Sequence, residues 1–135
     1  MTTIVADAVS GVVCSDSYWF DGNECGECSK IFRVRDELIG LAGDLTSCRS
    51  WLEAYKKDEG LKRFSVVAIR LNKKGVSVWN NCDGWHEVQK RFAIGSGGVA
   101  ARGAMAAGAT AQQAIRAAIT IDANSGGRVR TRRLA

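Results

Sequence analysis

Residues 2–16 read TTIVADAVSGVVCSD. Residues 2–8 are rich in β-formers, Ser10-Gly11 supplies a turn, and residues 12–16 return as a hairpin partner that leaves Asp16 at a strand end. The same stretch holds Thr2, beside a methionine of the kind normally trimmed from a small neighbour. Removal of Met1 exposes a threonine carrying both a β-hydroxyl and a free α-amine, nucleophile and base in one residue. A hydroxyl is unreactive at neutral pH unless something accepts its proton, and an α-amine of ordinary pKa near ~7.7 to 8.0 is a suitable acceptor. The plain alternative is an ordinary first strand, since Met-Thr-Thr is a common start.

Outward from this hairpin, Asp21-Gly22-Asn23 and Gly26 mark a loop, and residues 30–35 alternate charged and apolar side chains as a half-buried strand does, with Lys30 at its start. Arg35-Asp36 turns the chain into a strand over 37–42, which Gly43-Asp44 ends. Trp51, Leu52 and Tyr55 recur at helical spacing and predict one helix over 46–57. Residues 64–71 and 76–79 read as a second hairpin around Asn72-Lys73-Lys74-Gly75, and a strand over 91–94 runs into Gly95-Ser96-Gly97-Gly98. The alanine-rich segment 99–107 predicts a helix. Thr110 and Gln113 form a capping-box signature for another over 111–123, and Ser125-Gly126-Gly127 breaks it before a basic last strand or tail, 128–135. The order β-rich, helix, β-rich, two helices, strand predicts an antiparallel sandwich covered by helices.

Length, at 135 residues, suits one domain. With 46% hydrophobic and 24% charged residues the composition is that of a folding chain rather than a disordered one. No apolar run approaches the ~20 residues of a membrane-spanning helix, and TTIV is not a signal sequence, so neither export nor membrane insertion is expected. Five cysteines, an odd number at irregular positions, fit free thiols in a reducing cytoplasm, bacterial or of a phage-infected host. The net charge of +5 is local: without Arg128, Arg130, Arg132 and Arg133 the 19 basic residues fall to 15 against 14 acidic. A solvated strand face accounts for these arginines, and a nucleic-acid partner is not expected.

Asp16 and Lys30, at neighbouring strand ends, form a pair in which the ammonium lowers the proton affinity of a nearby hydroxyl or amine; an ordinary surface ion pair is the alternative. Gly95-Ser96-Gly97-Gly98 lacks the lysine of a P-loop and the full dinucleotide fingerprint. The stretch 122–127, DANSGG, reads by itself as helix termination.

Taken in order, however, Thr2, Asp16, Lys30, Gly43, Gly-Ser96-Gly-Gly before a helix and Asp122-x-x-Ser125-Gly-Gly before the last strand resemble the proteasome β subunit and the HslV peptidase, both amino-terminal-nucleophile (Ntn) hydrolases. The resemblance spans residues 2–129 and is closest in TTIV, AIGSGG and DANSGG. It implies an αββα sandwich and a cofactor-free, metal-free threonine peptidase acting on peptide or unfolded protein as a homo-oligomer. In that family pattern the Thr2 hydroxyl attacks the scissile carbonyl while its own amine takes the proton through water, Lys30 activates, and Asp16 orients Lys30. The Gly43 N–H forms the oxyanion hole, and Asp122, Ser125 and Ser96 hold the amine and water. Leu41 shapes an apolar pocket for the substrate side chain before the cut. Two departures stand out: Phe20 occupies a substrate-contact position usually held by a small hydroxyl residue, and there is room for only one helix where the family carries two. That leaves ring size and an ATPase unfoldase partner open.

Other readings rank lower. Cys25-Gly-Glu-Cys28 has no second ligand pair to complete a zinc site. His86 lies four residues from Cys82 in a turn-like context and reads as a surface histidine. Trp19, Trp51, Trp79 and Trp85 read as core or interface residues. Rival functions are a catalytically silent structural or adaptor subunit of the same fold, an amidase for small molecules, and a nucleic-acid module that truncation after Gly127 would abolish.

Overall fold

The computed structural model describes residues 2–21 and 24–135, with the side chains of all but Phe20, Asp21, Glu24 and Cys25. The expected turn at Gly22-Asn23, the fate of Met1 and the side chains of Phe20 and Cys25 therefore lie outside the described residues. Two antiparallel sheets stack face to face. The first runs in the order β10 (Arg91–Gly95), β1 (Thr3–Asp7), β2 (Val12–Ser15), β11 (Arg130–Arg133). The second is the meander β5 (Ile31–Val34), β6 (Glu37–Ala42), β7 (Val67–Asn72), β8 (Gly75–Asn80), β9 (Gly84–Glu87). A separate hairpin joins β3 (Tyr18–Asp21) to β4 (Glu24–Glu27).

Strand alternation sorts the side chains into three apolar layers. Ile4, Ala6, Val13, Leu38, Ile69, Leu71, Val76 and Val78 fill the space between the sheets. Val5, Val12 and Cys14 point the other way, onto α2 (Gly98–Ala106) and α3 (Ala111–Ile121), meeting Ala101, Met105, Ala114, Ile115 and Ala118. Ile39, Leu41, Ala68 and Trp79 face α1 (Leu45–Lys56) through Trp51, Leu52 and Tyr55. β1 is buried on both faces, which is why TIVAD is nearly continuous in β-formers rather than alternating. The sheets approach so closely at Gly40 that a Cβ there would lie 2.6 Å from Ile4 Cγ2. The result is helices, sheet, sheet, helix, the αββα sandwich expected from the sequence.

Caps fix the helix ends. Asp44 accepts the Ser47 amide at the start of α1, and Thr110 with Gln113 makes the anticipated capping box on α3. One helix lies between β6 and β7, as the sequence allowed. Trp51 stacks on Tyr55 at 5.0 Å between ring centroids and meets Trp79 and Trp85 edge-on, so three of the four tryptophans form one cluster. Arg70, not an arginine of the last strand, covers Trp85 at 3.9 Å.

Two expectations are corrected. Gly26 lies within β4 rather than in a loop: it packs under the Trp19 indole, where a Cβ would come within 2.7 Å of Nε1. The turn read at Asn81, Asp83 and Gly84 is present over 81–83, but Gly84 already opens a strand that the sequence reading did not include, β9, paired to β8 through Trp79↔Trp85; His86 on this edge strand is exposed, as expected. No helix among the described residues is long and apolar enough to cross a membrane.

Candidate active site

Strand register brings one end of each element to a common point. Thr3↔Gly95 pairing sets Ser96 beside Thr2, and Ile4↔Ser15 pairing sets Asp16 beside Thr3. In the second sheet, the Leu41 amide donates to the Lys30 carbonyl at 3.0 Å, so the strand that carries Leu41 toward Gly43 also anchors Lys30.

Two polar networks meet there. In the first, Lys30 Nζ lies 2.9 Å from Asp16 Oδ1, with the side chains 6% and 0% exposed. That degree of burial excludes the surface-pair alternative, and a buried pair persists only if the remaining lone pairs are satisfied. They are: Asp16 Oδ1 also accepts the Thr3 amide at 3.1 Å, and Oδ2 accepts the Gly126 amide at 3.0 Å. In the second network, Asp122 Oδ2 accepts the hydroxyls of Ser96 and Ser125, each at 2.6 Å. With both hydroxyl protons given to Asp122, Ser96 Oγ is left to accept from Thr2 N at 3.2 Å, and Ser125 Oγ to accept from the buried Thr3 hydroxyl at 2.7 Å. Burial pushes the Asp122 carboxyl up, but the Ser125 and Ser96 hydroxyls and the Asn124 amide outweigh it and hold its pKa below the ordinary value.

The glycines of 95–98 act by their lack of a side chain. At Gly95 (φ +93°) a Cβ would overlap the Thr2 carbonyl oxygen, and at Gly97 it would overlap Thr3 Oγ1. Gly43, with φ +149°, leaves β6 in a conformation that L side chains rarely adopt.

Thr2, Lys30, Leu41, Gly43 and Ser96 border one cavity of about 1020 Å³, at the upper end of the size usual for ligand sites. Of the residues singled out in the sequence, Thr2, Asp16, Lys30, Ser96, Asp122 and Ser125 are joined by the two networks, and Gly43 and Leu41 share the cavity wall. Thr3 and the Gly126 amide were not anticipated. The Thr-Thr doublet was the only sequence signal for Thr3, and backbone donors leave none.

Two sheets faced by helices on both outer sides, with the first strand's amino end at a cavity, define the four-layer fold of the Ntn hydrolases. No protein-family model matches the sequence, and no curated protein matches it. Among solved structures, eukaryotic HslV from Trypanosoma brucei superposes with a TM-score of 0.76 at 22% identity, over 97% of this chain and 98% of that one. Thiobacillus denitrificans BPH in complex with epoxomicin gives 0.79 at 20% identity over 99% and 100%, and another BPH structure 0.71 at 19% over 100% and 99%. Within the Ntn class the fold is therefore the HslV/proteasome-like one.

Proposed function

We propose that this chain is a threonine-type peptidase whose nucleophile is Thr2, freed by removal of Met1. The observation that carries the reading is the position of Thr2 N. It donates to a serine whose own proton is committed to Asp122, beside a buried Lys30–Asp16 pair whose carboxylate also accepts two backbone amides, and at the wall of a large cavity. In the encoded chain this nitrogen is an amide; after Met1 is lost it is an amine held in the same place. One N–H goes to Ser96, and the lone pair is available to take the Thr2 hydroxyl proton through water.

The reaction then runs as acyl transfer. Thr2 Oγ attacks the peptide carbonyl, Lys30 favours the deprotonated forms of the hydroxyl and amine, and Asp16 holds Lys30. The Gly43 N–H stabilises the oxyanion, a contribution whose loss typically costs about 3 to 4 kcal/mol of barrier. The amine returns its proton to the leaving group, and water hydrolyses the ester on Thr2. Leu41 offers an apolar wall to the substrate side chain before the cut. HslV and epoxomicin-bound BPH share this fold, which supports a peptide or unfolded protein as substrate and assembly as a homo-oligomer; a cytoplasmic setting is part of the proposal.

Intact mass spectrometry with an epoxyketone tests the reading. The expected result is a protein lacking Met1 that gains one inhibitor equivalent and cleaves peptides, with both properties lost in Thr2→Ala. Retention of Met1 in material that cleaves peptides, or unchanged labelling of Thr2→Ala, would overturn it. A Met-less protein that neither labels nor cleaves would point instead to a silent subunit.

A further inference from the structure

The cavity beside Thr2 is walled on one side by α1, which presents Leu45, Cys48, Arg49 and Leu52, the i, i+3, i+4, i+7 stripe of a single helical face. Phe32, Leu41 and Val66 add apolar surface, and Cys28 and Lys30 belong to the same lining.

Three described lining residues are charged, and two of them are engaged. Lys30 is bound to Asp16, and both Asp44 oxygens accept from Ser47, one from its amide and one from its hydroxyl. Arg49 forms no ion pair among the described residues. Its field nevertheless reaches into the cavity. Burial pushes the Cys28 thiol up, while Lys30, Arg130 and Arg49 all pull against that rise, opposed by Asp16.

We propose that Arg49 is a specificity-determining residue: the cavity takes a peptide segment with a carboxylate-bearing side chain, Glu or Asp, set among apolar residues, and the guanidinium receives that carboxylate. A planar guanidinium matches a carboxylate in a two-point hydrogen-bonded fork; Arg49 is exposed where it borders the cavity, so the pair is open to salt and its contribution falls as salt is raised. The apolar wall at Leu41 and the cation at Arg49 are then complementary, one taking hydrophobic surface and the other charge. This rests on the peptidase reading of the same site.

The test uses quenched-fluorescence peptides that differ at a single position, scanned along an otherwise apolar sequence, with Glu, Gln or Lys there. At the responsive position wild-type kcat/KM favours Glu over Gln by about five- to tenfold at low salt, a margin that shrinks as salt is raised. Arg49→Ala brings the Glu/Gln ratio to about one, and Arg49→Glu turns the preference toward Lys. In parallel, fluorescence anisotropy measures binding of the same peptides to Thr2→Ala, with and without Arg49→Ala, and needs no turnover. Equal handling of Glu and Gln at every position, or a Glu preference that survives Arg49→Ala, overturns the proposal even if peptides are cleaved. Arg49-dependent binding of the Glu peptide by a protein whose wild type cleaves nothing would sustain it while removing the peptidase reading.

Discussion

At the scale of single residues, the site depends on what is missing as much as on what is present. Gly97→Ala sets a methyl group onto the Thr3 hydroxyl, whose partner Ser125 is itself held by Asp122. Thermal denaturation should show a loss of about 2 kcal/mol or more, with a displaced Thr2 and peptide cleavage down by at least about tenfold. Lys30→Ala strands the Asp16 carboxylate in a fully buried position and should cost about 3 to 5 kcal/mol in a urea titration. Asp122 gives a pH signature. Its folded pKa lies below the ordinary 3.8, so its hydrogen bonds contribute stability at every pH above that value and lose it as pH falls through the lower, folded one. The drop in urea midpoint between about pH 7 and about pH 3 should therefore be smaller in Asp122→Asn than in wild type. A result in the other direction would mean that the carboxylate gains nothing from Ser96 and Ser125. The side chains joined here were legible in the sequence through their order along the chain, which resembles the family pattern; taken singly, they read equally as a strand start, a surface ion pair and a helix stop. Thr3 and the amide of Gly126 were not, because one is a strand residue by composition and the other acts through its backbone.

The elements divide along the same line. The boundaries that came through most clearly were those with a chemical stop: β6 ends at Gly43-Asp44, and α3 opens on the Thr110–Gln113 box. Thr110→Ala should lower stability by about 1 kcal/mol, read from the shift in urea midpoint with the slope unchanged. Asp44→Ala removes the α1 cap and should cost a similar amount, about 1 kcal/mol, while loosening the cavity wall that carries Arg49. The β3–β4 hairpin was hidden by Gly26, which composition reads as a breaker but which sits in a strand because the Trp19 ring occupies the space a side chain would need. β9 was hidden for a different reason. It is four residues long on a sheet edge, preceded by a turn in which Asn80 Oδ1 accepts the amides of Cys82 and Asp83, so the turn signal overwhelmed a strand signalled mainly by Trp85.

For the molecule as a whole, three apolar layers must form together, and thiols placed through them report on this. On a Cys25→Ser background Cys82, exposed in the turn before β9, should react at once with a thiol reagent. Cys14 is buried in the helix-side layer with its pKa raised chiefly by burial, and the Cys48 thiol is pushed up to about 11, again chiefly by burial. Cys14 should stay silent until global unfolding, so that its rate falls on the denaturant curve, whereas Cys48, half-buried on the cavity wall, should react slowly in the folded protein because its raised pKa keeps the thiolate scarce. Trp51→Ala, at the centre of the aromatic cluster, should cost about 3 to 5 kcal/mol and bring the Cys48 reaction forward. The Asp16 carboxylate joins three distant parts of the sequence, touching Thr3, Lys30 and Gly126 at once. During translation this becomes a matter of timing. The ribosome must deliver residue 126 before that carboxylate has all three of its partners. On the proposed peptidase reading, completion of the fold would also arm the centre, and neighbouring nascent polypeptides would be spared until then.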